Sequence, residues 1–184
     1  MNKNNNIFII IGIIVVAAFS RLIPHPLNFA PLAGMALFGG YYFEKKWQSY
    51  FTIAASWWLS DLVLNNVIYS RYFTKFTWLS TSYITIAISL LVIILISKWL
   101  IKKIDIQSVA IASLLSSVSF FLITNFGAFL ELYPKTANGL AAAYTAGLPY
   151  FRNTILGDLV YSAIIFGIYQ LFFSEKFSRE LLKK

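Results

Sequence analysis

The 184 residues are 59% hydrophobic and only 12% charged, with 15 Lys or Arg against 7 Asp or Glu and a formal net charge of +8. A soluble domain carries about 25% charged residues, so the composition excludes an ordinary soluble globule and points to an integral membrane protein. With no cysteine, disulfides, thiolate metal sites and a cysteine nucleophile are excluded as well.

The length suits a single membrane domain, 1–184. Windows of about 20 apolar residues mark spans, and six follow in chain order. The first is Ile7 to Ile23, interrupted only by Arg21. Lys3 ahead of it and Val16-Ala17-Ala18 within it also fit a secretory signal with a cleavage site, an alternative that leaves five spans. The second, Phe29 to Phe43, is short, and Pro31 suits a helix's first turn, where its missing N–H costs nothing. Trp47 to Tyr69 is the third span and carries Asp61. Phe76 to Ser97 and Ile106 to Leu130 contain no Asp, Glu, Lys, Arg or His. An outer lid or re-entrant segment is expected over 134–150, then a last span, Asn153 to Phe173, carrying Asp158. The tail Ser174 to Lys184 reads as an amphipathic end on the inner leaflet.

Charge predicts the orientation. Lys3, Lys45, Lys46, Lys98, Lys102, Lys103, Lys176, Arg179, Lys183 and Lys184 fall on the side of both termini, against Arg21, Arg71, Lys75, Lys135 and Arg152 on the other. The positive-inside rule then puts both termini in the cytoplasm. Basic residues scattered in short loops serve orientation, and no nucleic-acid partner is expected.

A carboxylate at bilayer depth costs roughly 3 kcal/mol, so it persists mainly where it faces a partner, a cavity or a ligand. Trp57, Asp61 and Asn65 share one helical stripe, and Thr154, Asp158 and Tyr161 form a similar one. Arg21, His25, Asn28, Asn125, Glu131, Tyr144, Arg152 and Asn153 lie toward the same end. Both stripes are expected to line a shared outward cavity for a small molecule. Pairing of either aspartate with Arg21 or Arg152, a purely structural role, is the competing reading. Ala30 with Gly34, and Ala36 with Gly40, are spaced small-xxx-small, a face that serves either internal packing or docking of another membrane subunit.

The strings SRLIPHPLNFAPLAGMALFGG, SDLVLNN, TNFGAFLELYPKTANGL and LPYFRNTILGDLVY resemble a bacterial family of small membrane proteins of undetermined function, described as candidate transport proteins. The size and six-helix layout are also similar to the substrate-binding S components of energy-coupling-factor transporters. That resemblance implies an all-α bundle and an outward-facing site for a vitamin-like solute or metal ion. It also implies a transmembrane coupling subunit with ATPases as partners, because this chain carries no nucleotide-binding motif. No cofactor is implied. Other classes compete: a structural or assembly subunit of a larger membrane complex, and an intramembrane aspartyl protease. The protease motif GxGD is broken here, with Ile155 where its first glycine belongs, and neither HExxH nor GxSxG occurs. An enzyme is therefore not expected.

Overall fold

A computed structural model of the chain describes residues 3–72, 75–79 and 83–173. The expected tail 174–184 lies outside these. Every regular element among the described residues is helical: α1 (Lys3–Phe19), α2 (Leu32–Tyr42), α3 (Lys46–Val63), α4 (Tyr83–Leu100), α5 (Ile106–Leu132) and α6 (Ala137–Phe173). A 3-10 turn, Ser20–Leu22, closes α1, and a π-helical stretch, Leu64–Ile68, extends α3. Among the described residues, three helices are long and apolar enough to cross a membrane: Tyr83–Leu100, Ile106–Leu132 and Ala137–Phe172.

The second helix organises the bundle. Its sequence, LAGMALFGGYY, is apolar on every side, the pattern of a helix surrounded by protein. Leu32 to Gly40 are all buried, and α2 touches each of the other five helices. At 11 residues it rises only about 16 Å, half of a hydrocarbon core of about 30 Å. The chain therefore enters α2 through an irregular stretch, residues 23–31. Such backbone is tolerated at membrane depth only when it is covered by protein or lines a cavity.

Lipid tails are as apolar as leucine, so burial of apolar area does not drive helix association in a bilayer; close packing and hydrogen bonds do. The α2 glycines show the first. A Cβ on Gly34 would lie 3.1 Å from the backbone of Tyr161 and Ser162 in α6. One on Gly39 would lie 2.8 Å from Ile53 Cδ1 in α3, and one on Gly40 would lie 2.7 Å from Ser97 Cβ in α4. Buried serines show the second. Ser97 donates to the Leu37 carbonyl at 2.6 Å, and Ser113 donates to Ser162 at 2.8 Å between α5 and α6.

The helix ends are held by ordinary caps. Asp105 accepts the Ser108 N–H at 2.8 Å and starts α5; that N–H holds the Asp105 carboxyl below its usual range. Lys98 donates to the Phe43 carbonyl at 2.9 Å, placing a cation at the C-terminus of α2. Asn66 joins the π-helical stretch to the next segment, donating to Thr77 O at 3.0 Å while accepting the Thr77 N–H at 2.7 Å.

Residues 137–150, expected as a separate outer segment, form the first part of the 37-residue α6. Pro149 lies inside that helix and cannot donate to the preceding turn. Packing on α5 carries the helix through it: the Tyr144 hydroxyl donates to the Leu122 carbonyl at 2.8 Å, and Gly147 lets Asn125 approach its backbone.

Candidate functional site

At the end of α1 the 3-10 turn aims Arg21 across to α3. Its guanidinium donates to Ser60 Oγ and to Asp61 Oδ1, each at 3.0 Å. Ser60 passes its own proton to the Trp57 carbonyl at 2.7 Å, which leaves its oxygen free to accept. The other Asp61 oxygen accepts from Asn65 and from the Tyr83 hydroxyl, both at 3.2 Å. The Tyr83 ring rests on Trp57 with centroids 4.5 Å apart. Asp61 thus has a paired cation and both oxygens occupied, which is what burial of a charge requires.

Asp158 has different company. It is 4% exposed, and Ser117 of α5 donates to its Oδ2 at 2.6 Å. The Ala33 backbone N–H faces it from the first turn of α2. That turn needs it. The α2 N-cap is Pro31, which offers no capping side chain, and the first N–H groups of any helix have no partner within the helix. Asp158 stands where a cap belongs, supplied by another helix, and the helix dipole favours a carboxylate there. Gly157 allows the approach: a Cβ on it would lie 3.0 Å from Ala30 N and Phe29 Cα. Arg21–Asp61 and Lys103–Asp105 form ion pairs, whereas Asp158 has no ion-pair partner among the described residues.

Between these two carboxylates lies a cavity of about 160 Å³. Arg21, Asn28, Ala30, Leu32 and Ala33 line it from the α1–α2 side. Trp57, Ile86 and Phe120 supply its apolar wall, and Thr154 and Asp158 its polar wall. Asn28 is exposed at its edge, with φ of 63°, a left-handed conformation that asparagine tolerates better than most residues. Larger openings of about 420 and about 570 Å³ lie around Asp105 at the start of α5. The first is an apolar crevice bounded by Val109, Leu159 and Phe166, and the second is a surface hollow by Lys103 and Gln107. The hollow is polar too, with Lys103, Asp105, Gln107 and Ser108, but it lies open at the surface; the smaller cavity is more enclosed and holds the buried carboxylate of Asp158.

The structure brings together part of the expected site. Arg21, Asn28, Trp57, Thr154 and Asp158 line the cavity. Asp61 and Asn65 stand behind Arg21 rather than in the wall, so the two carboxylates do not share it as equals. His25 turns back, Nδ1 donating to the Pro26 carbonyl at 2.9 Å. Asn153 ties the loop to α6 by donating to Leu27 O at 3.0 Å. Asn125 donates to its own helix at Phe121 O, 2.8 Å away, and Tyr144 clamps the α5–α6 hairpin. Arg152 is exposed. Tyr161 meets Ser20 through its hydroxyl at 3.2 Å and Phe29 through its ring.

Of the two readings of Gly34 and Gly40, their burial against other helices agrees with packing inside the chain. Ala30 lines the cavity instead. Sequence reasoning missed Ser117, Ser60, Tyr83 and Phe120. Their helices carry no local pattern separating these residues from neighbouring serines and aromatics; only the crossing of helices singles them out.

Fold and site together define an all-helical protein of membrane character with one small polar cavity. The chain belongs to a family of unknown function (DUF6580), whose model matches residues 1–180. No curated protein and no solved structure matches it.

Proposed function

We propose that the protein is a multi-pass transport protein of the bacterial inner membrane that binds a small solute at this cavity. It would enter from the outer side, the side assigned by the basic residues. The observation that carries the reading is the wall itself: a buried carboxylate without a cation, a guanidinium, and Trp57 and Phe120 around one space. Few convergent polar groups in an apolar frame is the usual make-up of a small-molecule site. In this reading the chain is the solute-binding component, and an ATPase-driven membrane partner supplies the energy. The cavity narrows the expected solute. At about 160 Å³ it falls well below the roughly 300 Å³ where drug-sized pockets begin, which favours a compact molecule over a vitamin. Among the described residues no three His, Cys, Asp or Glu gather to hold a metal ion.

Native mass spectrometry of the protein extracted from its membrane tests this. A bound small molecule should appear on the wild-type chain and vanish from Ala30→Leu, which fills the space. Its absence from both sinks the proposal.

A structural or assembly subunit is the second reading, and one observation favours it: both aspartates have partners inside the chain, Asp61 in an ion pair and Asp158 beside Ser117 and α2. A folded Ala30→Leu variant that keeps full activity in cells would select it.

A further inference from the structure

Resting on the solute-binding reading, we propose that the cavity takes a compact monovalent organic cation whose ammonium group sits against Asp158.

Charge decides the class. Arg21 is neutralised by Asp61 at 3.0 Å, so that pair adds no net charge to the wall. Asp158 has no ion-pair partner among the described residues. Counted with Asp61 behind Arg21, the cavity and its surroundings therefore carry one uncompensated negative charge when Asp158 is ionised. Burial makes such a charge costly until a cation joins it. An anion would add a second like charge, and a zwitterion would leave the surplus in place.

Donors and acceptors agree with this. A carboxylate offers about four acceptor sites, and Ser117 and the Ala33 N–H account for two. Beside it, Thr154 gives its proton to the Tyr150 carbonyl at 3.2 Å, leaving its oxygen as an acceptor. The α6 wall thus offers acceptors to an ammonium. The facing wall of Trp57, Ile86 and Phe120 offers no oxygen ligands for an inorganic ion. It suits an alkyl body, and aromatic side chains attract organic cations. Size then limits the cation to a compact one.

A cation at Asp158 would also bear on α2. The carboxylate that meets it is the one facing the α2 N-terminus, so the occupied and empty states differ in how firmly α2 is held to α6.

Thermal unfolding of the full chain in detergent tests this with two matched pairs: choline against 3,3-dimethylbutan-1-ol, and propylammonium against 1-propanol. Sodium 3,3-dimethylbutanoate serves as the anion, with ionic strength held constant by sodium chloride. At least one cation, at saturation, should raise Tm by about 5 °C or more. Its neutral partner should leave Tm unchanged, and the shift should disappear in Asp158→Asn. If that variant fails to fold, the matched pairs on the wild-type chain still decide. Equal shifts from a cation and its neutral partner overturn the cation but keep the solute-binding reading. Stabilisation by the anion alone, or by sodium alone, also overturns it. No shift from either cation overturns it too, and a small molecule still found by mass spectrometry would leave the broader reading standing.

Discussion

Asp61 and Asp158 are the same residue type near the same end of one bundle, and the fold treats them oppositely. Asp61 is closed: Arg21, Asn65 and Tyr83 occupy both its oxygens, and it stands outside the cavity wall. Asp158 is open on one side: a serine and a helix N-terminus hold it, it has no ion-pair partner among the described residues, and it lines the cavity. A buried carboxylate is therefore not by itself a sign of a site. The informative difference is whether its charge is already answered.

The largest way to break this comparison is to remove the answer at Asp61. Arg21→Leu leaves a buried carboxylate unpaired and should cost about 3 kcal/mol in denaturant unfolding. The double variant Arg21→Leu/Asp61→Leu should recover most of that loss. If Arg21→Leu costs no more than Asp158→Asn, the two aspartates are not distinguished as described.

A smaller effect is expected where α2 meets α6. Gly34→Leu forces a side chain against the Tyr161–Ser162 backbone and should destabilise by about 2 kcal/mol. Gly167→Ala, whose Cβ would meet nothing within 4 Å, should be silent. Normal stability in Gly34→Leu, with loss only of a co-purifying subunit, would restore that glycine to a docking face.

Ser117→Ala sharpens the Asp158 side. Losing a hydrogen bond to a charged acceptor costs about 1.5 kcal/mol, and thermal unfolding should show that loss. The neighbouring Ser116→Ala removes only a bond to its own helix, at Ala112 O, and should change stability much less.

The smallest effect is at Asp105, a carboxylate in contact with water that serves as the reference for both. Its Ser108 N–H lowers its pKa, so its contribution is complete above the usual value of about 3.9. It fades as pH falls through the lower folded value. The stability difference between wild type and Asp105→Ala should therefore be constant near neutrality and shrink below about pH 4. A difference that grows on acidification would contradict the capping role.

Much of this was legible in the chain. Composition pointed to an apolar solvent, where only helices and closed barrels satisfy the backbone, and apolar runs of about 20 residues chose helices. Six apolar runs announced the six helices, and Asp61 and Asp158 stood out by cost. The boundaries were less legible. Residues 137–150 join α6 because α5 supports them across Pro149, and that support comes from Tyr144 and Asn125, far apart in sequence.

Tertiary structure alone decided which aspartate is answered. Arg21 and Asp61 are 40 residues apart, and Ser117 and Asp158 are 41. Whether such residues meet depends on how each helix is rotated about its axis. In a soluble protein an amphipathic stripe reports that rotation. Here the face toward protein and the face toward lipid are both apolar, so the stripe is erased. Glycine contacts, buried serines and one crossing of α2 over α6 set the rotation instead, and with it which carboxylate borders the cavity.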